Sequence, residues 1–159
     1  MRFSKKSQYA FRALLELAQA FEKRPVRRAE IAKRQQIPLG FLESILLNLK
    51  NAGVLASRPG VDGGFRLIKD PGTIFLGDII RSLDGPLAPI PCVSKTAYQT
   101  CQDCPYAEAS QCPIKSLMLE VRNAISGILD HYTLRDLSLR AQGSPLWSKT
   151  GKRNKGTTL

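Results

Sequence analysis

Apolar positions along this chain repeat at helical spacing, then alternate around turn residues, then return to helical spacing. From Ser7 to Phe21 the positions Ala10, Ala13, Leu14, Leu17, Ala18 and Phe21 predict a helix. The stretch KRPVRR interrupts the pattern at Pro25. RAEIAKRQ (28–35) predicts a short helix burying Ala29, Ile31 and Ala32 or their neighbours. After an Ile37-Pro38 turn, LGFLESILLNLKNAG carries the stripe Leu42, Ile45, Leu46 and Leu49, and Gly53 provides the left-handed residue that ends it. Two short helices joined by a tight turn, the second amphipathic, predict a helix-turn-helix. VLASRPGVDGGFRLI then reads as two short strands about a Pro/Gly/Asp loop, and a hairpin in that place makes the unit a winged helix-turn-helix.

Farther on, FLGDIIRSLDG predicts a helix through Leu76, Ile79, Ile80 and Leu83, stopped at Gly85. Residues 85–113 show no sustained period and hold Pro86, Pro89, Pro91, Pro105 and Pro113, together with all four cysteines. A loop this long without its own elements points to function. Ile114, Leu117, Met118, Val121, Ile125, Ile128 and Leu129 then draw one apolar stripe, bordered by Lys115, Glu120, Arg122 and Asp130. At about 1.5 Å per residue, such a helix spans roughly 27 Å. It could pack on its own domain, but a small winged domain leaves little surface for it, so the expectation is a dimerisation helix. TLRD at 133–136 fits a capping box opening a short last helix. Residues 141–159 are polar, basic and aperiodic, which predicts a flexible tail; no pattern places Trp147.

The expected fold is mainly α with a small β-hairpin wing, a winged helix-turn-helix domain plus a long C-terminal dimerisation helix. Its expected parts are a DNA-binding domain at 1–84, a cysteine-bearing loop at 85–113, the dimerisation helix and short final helix at 114–140, and the tail at 141–159.

Charge sharpens this picture. The chain carries 24 Lys and Arg against 13 Asp and Glu, a net charge of +11. Ten of those cations fall in residues 1–36 against Glu16, Glu22 and Glu30. A merely well-solvated surface would spread the charge; concentration on the helical head points to a polyanion, and with this fold to double-stranded DNA. No run of about 18 apolar residues occurs, so no membrane span is expected. The charged start MRFSKKSQYAF lacks a secretory pattern, and a cytoplasmic chain is expected.

The cysteines form the motif C-x8-C-x2-C-x7-C, Cys92, Cys101, Cys104 and Cys112, with none elsewhere. Packing cysteines scatter, whereas gathered ones bind something jointly, either other sulfurs or a metal. In a reducing compartment a metal is favoured. No Ser/His/Asp set, paired-carboxylate site or phosphate-binding loop is present, and the C-x-x-C lies in proline-rich loop rather than at a helix, so no enzyme is read here. His131 is expected at a surface or interface.

The segments KKSQYAFRALLELA, IPLGFLESILLNLKNAGVLASRPGVDGGFRL and LGDIIRSLDGPL resemble the IscR/NsrR/CymR superfamily of bacterial transcription regulators, from Met1 to about Arg140. The resemblance implies a homodimer whose winged helices bind palindromic operator DNA. It also implies, for many members, an iron–sulfur cluster held by cysteines between the fourth helix and the dimer helix, where Cys92–Cys112 lies. Two features depart from the pattern. IscR-like chains carry three cysteines and a non-sulfur fourth ligand, but here Lys115 stands three residues after the last cysteine, and the first-helix position of some NsrR-like carboxylates is Gln8. This chain offers a fourth cysteine instead. In addition, Arg58 precedes Pro59-Gly60 by one residue relative to IscR-like wings.

Four thiolates suit a 2Fe-2S or a 4Fe-4S cluster. Zinc is the rival, although four-cysteine zinc sites usually show two C-x2-C knuckles and this loop has one. A metal-free thiol or disulfide switch is the third reading. On DNA, the helix from Leu39 is expected to enter the major groove by its first turn, presenting Leu39, Gly40, Glu43, Ser44 and Asn48. Glu43 repels phosphate but can accept from cytosine N4, so it is expected to read sequence. Ser4, Lys5, Lys6, Arg27 and Arg28 are expected on the DNA backbone, and Arg58 and Gly60 at the wing. Three classes remain open: a cluster-sensing DNA regulator, a DNA regulator with structural zinc or bare thiols, and a redox protein that does not bind DNA.

Overall fold

A computed structural model describes residues 3–106 and 108–143. Helix α1 (Lys5–Gln19) starts where the Ser4 hydroxyl accepts from the Ser7 amide. It begins and ends two residues before the expected 7–21, because Ser4 caps it and a left-handed Glu22 turns the chain. Helix α2 (Arg28–Gln35) has the expected bounds and ends on a left-handed Gln36. Of its three expected core residues only Ile31 is fully buried; Ala29 is exposed, since an eight-residue helix lying on α3 buries one narrow stripe. Helix α3 (Leu39–Asn51) buries Leu42, Ile45, Leu46 and Leu49, and Gly53 follows it at φ 70°.

Strands β1 (Leu55–Arg58) and β2 (Gly64–Leu67) pair antiparallel, Leu55 opposite Leu67 and Arg58 opposite Gly64. Val26 forms a third edge against Phe65, with N–H···O distances of 2.9 and 2.8 Å in the two directions. This edge demands Gly64: its φ is 149°, and a Cβ there would stand 2.6 Å from the Val26 carbonyl oxygen. Helix α4 (Leu76–Asp84) buries Leu76, Ile79 and Ile80 and stops at Gly85. Loop 85–112 is not uniform. Leu87, Cys92, Val93 and Ser94 are buried around a 3-10 turn at Pro91–Val93, whereas residues 95–106 are exposed.

Helix α5 (Pro113–Leu129) buries no residue fully, and its Ile114, Leu117 and Ile128 are 61, 56 and 59% exposed. Helix α6 (Leu134–Ala141) opens with the expected capping box between Thr133 and Asp136. It does not stay with α5. Leu134 is fully buried in the same core as Ala10, Leu14, Leu42 and Ile79. The boundary expected at residue 84 is thus bridged in space by α6, which completes the winged head. Three contacts tie it there: Leu76 N–H donates to Tyr132 O (2.9 Å), Leu134 N–H donates to Ile74 O (2.8 Å), and Arg135 donates to both oxygens of Asp70 (2.8 and 2.6 Å). These pairings are long-range and leave no local trace in the sequence. The expected tail, including Trp147, lies outside the described residues from 144 onward.

At the junction of α4 and α5, Arg81 donates to both oxygens of Asp130 at 2.7 and 2.8 Å. The guanidinium holds the Asp130 carboxyl below the usual carboxylate range, chiefly through this hydrogen bonding, against an upward push from burial. Gly77 makes room, because a Cβ there would collide with the Asp130 carboxylate.

Two outcomes are expected. Leu134→Ala costs about 2–5 kcal/mol in urea unfolding, because it leaves a cavity in the head, whereas Leu139→Ala, half exposed on the same helix, stays within about 0.5 kcal/mol. Asp130→Asn lowers the melting temperature at pH 7. Because the Asp130 pKa is depressed by folding, its stabilisation is complete above the unfolded value and is lost as pH falls through the folded one, so the gap to wild type closes below about pH 4. Melts from pH 7 to pH 3 on both proteins measure this.

Candidate nucleic-acid interface and cysteine loop

The first turn of α3 stands clear of the core. Leu39, Gly40, Phe41, Glu43 and Ser44 are exposed and Asn48 is half-buried, while Leu42 and Ile45 turn inward. Helical periodicity alone produces this division. Nothing lies within 4 Å of where a Gly40 Cβ would be, so that face is open. The turn is held to α1 by Tyr9, whose ring meets Phe41 edge-on at 5.7 Å, and Arg12 lies 5.3 Å from the Tyr9 ring centroid. Sequence reading missed this clasp. The only local signal was an aromatic on the otherwise polar side of each helix. Asn48 donates to Ser44 O (2.6 Å) and Ser44 to Phe41 O (2.9 Å), so both polar side chains rest on the helix backbone.

Several expected backbone contacts are already engaged. The Ser4 hydroxyl and amide donate to the Asp84 carboxylate at the end of α4, which places Ser4 as a clamp between α1 and α4. Burial pushes the Asp84 carboxyl up, but these Ser4 hydrogen bonds outweigh it and hold the carboxyl low. Arg27 donates to the Val61 carbonyl at the wing tip. Arg28 pairs with Glu43 at 2.8 Å, with both side chains largely exposed. The Glu43 carboxylate, expected to read a base, thus already holds a cation fifteen positions earlier in the chain. Glu16, buried under α2, accepts from Arg34 (3.3 Å) and Gln35 (2.7 Å).

Lys5, Lys33, Arg58 and Arg66 enter no ion pair among the described residues. Arg58 closes β1 and Gly60 takes φ 100° in the wing loop. A broad cleft of about 720 Å³ runs between the end of α1 and the hairpin, rimmed by Lys23, Arg24, Arg58 and Arg66. The wing and the end of α1 are thus joined by cationic surface of the kind that takes phosphates.

All four cysteines are free thiols. Cys92 is buried in its 3-10 turn, Cys112 is half-buried immediately before α5, and Cys101 and Cys104 are exposed. The Cys101 thiol is pushed above its usual range, first by hydrogen bonding with the adjacent Cys92 and by that neighbour's charge, then by desolvation and by Cys112, with Lys115 opposing. The Cys101 thiol therefore lies within reach of Cys92 and Cys112, which come from the two flanks of the loop. Lys115 lies beside them, its ammonium 5.6 Å from the Tyr98 ring centroid. It favours thiolate there, a role its i+3 spacing from Cys112 could have signalled. Among the described residues, no three His, Cys, Asp or Glu side chains converge closely enough to hold a metal ion. The donors fit a thiolate-bound metal or cluster in kind, and closing the exposed segment 95–106 is what would complete such a site. Among the same residues no helix is long and apolar enough to cross a membrane.

Comparison with known proteins gives a consistent result. The profile of the Rrf2 family, described as iron-dependent transcriptional regulators, matches residues 3–139. An rrf2-like HTH-type transcriptional regulator of Rhodobacter capsulatus is 41% identical over 145 residues, covering 89% of this chain and 94% of the relative. The HTH-type transcriptional regulator CymR of Bacillus subtilis is 30% identical over 143 residues, covering 90% and 94%. IscR of Cronobacter sakazakii is 33% identical over 137 residues, covering 86% and 80%. The solved structure of B. subtilis CymR, described as the global cysteine regulator, superposes with a TM-score of 0.73 at 29% identity, covering 91% of this chain and 99% of that one. These relatives are regulators rather than enzymes, and they share the mostly helical fold with its two-stranded wing. The chain belongs to the Rrf2 family of winged-helix, DNA-binding transcriptional regulators.

Proposed function

We propose that the chain works as a cytoplasmic homodimer on palindromic operator DNA and senses redox, iron or nitric oxide status through an iron–sulfur cluster on the Cys92–Cys112 loop. The observation that carries this reading is the set of four free thiols confined to one loop, with buried Cys92 and half-buried Cys112 at its two flanks and Cys112 opening α5. Cys92, Cys101 and Cys112 hold the cluster, and Cys104 supplies the fourth thiol from the same loop. When bound, a 2Fe-2S or 4Fe-4S cluster supplies an oxidation- and nitric-oxide-labile link among these sulfurs. Buried Cys92 anchors one side of the site to the packed half of the loop. Cys112 transmits order to the first turn of α5. Lys115 stabilises the thiolate form.

The exposed stripe Ile114, Leu117 and Ile128 supports pairing of α5 with a second copy. Two heads joined this way must match half-sites about 34 Å apart or a multiple of it. A coupling of about 1–3 kcal/mol between loop order and head spacing changes operator affinity roughly 5- to 150-fold. Lys5, Lys6 and Arg58 hold phosphates, while Glu43 reads a base edge and competes with phosphate for Arg28.

The contact between Cys92 and Cys101 favours a second reading, a metal-free switch. In it the two thiols lose two protons and two electrons to a peroxide or disulfide oxidant and join as a disulfide. Structural zinc is the remaining occupant of the same donors.

Anaerobic purification with visible absorption and iron, sulfide and zinc analysis separates these. The expected protein is brown, with matching iron and sulfide that Cys92→Ala, Cys101→Ala or Cys112→Ala abolishes and Cys104→Ala leaves labile. A colourless protein with stoichiometric zinc makes the loop a structural clasp, and a metal-free protein that forms a reversible Cys92–Cys101 disulfide makes it a thiol switch. For the head, Glu43→Ala frees Arg28, so salt-titrated anisotropy on palindromic duplexes is expected to show tighter binding to every sequence and a salt slope steeper by about one. Discrimination at a contacted C·G pair falls roughly tenfold. Unchanged discrimination would reduce Glu43 to a partner of Arg28.

A further inference from the structure

Between α4, the segment 86–96 and α5 lies a cleft of about 320 Å³ that neither the DNA face nor the thiols use. Arg81, Lys95 and Arg122 line it, against Asp78 and Asp130. Both carboxylates are engaged by Arg81, which meets Asp130 at 2.7 and 2.8 Å and Asp78 at 3.2 Å. Lys95 and Arg122 enter no ion pair among the described residues. One Arg122 terminal nitrogen donates to Asn123 Oδ1 at 2.6 Å, but its Nε–H is covered from solvent and has no hydrogen-bond partner among the described residues. That nitrogen is covered by the protein itself, so the groups Arg122 offers to the cleft are its terminal nitrogens, beside the unpaired ammonium of Lys95. A second copy seated on Ile114, Leu117 and Ile128 leaves these cations uncovered, because Arg122 lies on the side of α5 that faces α4 and the loop.

We propose that this cleft binds a small carboxylate. The planar guanidinium of Arg122 presents parallel donors that match two carboxylate oxygens, and Lys95 adds a second positive charge. Leu87 and Ala88 supply an apolar wall for a short carbon body, while the Thr96 hydroxyl offers one further polar contact. The volume stands at the low end for small-molecule sites, which limits the ligand to a few carbons. The walls come from the DNA-reading head, from the segment that follows Cys92, and from α5. Occupancy therefore stiffens the joint between head and long helix. That regulatory consequence rests on the function proposed above; the binding itself does not.

The test is a titration of the 15N-labelled full chain with succinate at fixed ionic strength, without DNA, following amide shifts by NMR. Saturable shifts at residues 94–96 and 122–126 are expected, with affinity weakened roughly tenfold or more in Arg122→Gln. Lys33→Gln, which removes a distant charge, is expected to bind as wild type does. Should Arg122→Gln lose its dispersed spectrum, Lys95→Gln decides: a loss of several-fold or more supports the site, and none overturns it. Absence of saturation also overturns it. Inorganic phosphate binding as tightly as succinate would overturn the carboxylate assignment. A regulator that fails to bind palindromic DNA leaves this readout untouched, so the two ideas fail separately.

Discussion

Two backbone hydrogen bonds between residues 74–76 and 132–134, backed by the Arg81–Asp130 pair, decide where α5 stands. They return the chain to the head at the far end of the long helix and bury Leu134 in the core built by α1, α3 and α4. Helix α5 is thereby fixed at its C-terminal end and reaches away from the core toward its N-terminal end. The cysteine loop joins it at that less constrained end. The geometry resembles a beam clamped at one support, in which a force applied where Cys112 meets α5 acts with the full length of the helix as its arm. A cluster, a disulfide or a zinc ion in the loop would each use the same arm.

The reading head balances cations against a few placed carboxylates. Arg24, Arg28 and Arg34 are each occupied by Glu30, Glu43 or Glu16, while Lys5, Lys33, Arg58 and Arg66 belong to the cations without an ion-pair partner among the described residues. Exposed pairs of this kind add little stability. Their effect is positional: they hold guanidinium groups in register until a phosphate competes for them, and they lower indiscriminate attraction to nucleic acid. An all-cationic head would bind tightly everywhere, and a regulator has to leave most sequences quickly.

Elements that follow from local pattern were readable from the residues. The bounds of α2, the stripe of α3, the hairpin, the end of α4 at Gly85 and the capping box at Thr133 all rest on neighbours within a few positions. What was not readable depends on encounters at long range. Ser4 was expected on DNA and is clamped by Asp84, eighty residues later; Glu43 was expected to read a base and meets Arg28 in the protein itself; α6 was expected to follow α5 and returns to α1. Ala29 was misplaced because a two-turn helix does not reveal its phase from three apolar residues. The cysteine loop was visible as a composition anomaly. Spacing could not say that Cys101 meets Cys92, because proline-rich loop has no period from which to infer direction.

The two glycines at 77 and 40 differ in what holds them. At 77 a methyl group would strike the Asp130 carboxylate, so the Arg81–Asp130 pair would have to move aside. At 40 a methyl group would meet nothing within 4 Å, and helical backbone there would welcome an alanine. A change at position 77 therefore registers in the joint between the head and the long helix, whatever DNA is present. A change at position 40 is invisible to folding, so whatever that open face meets decides which residue can stand there.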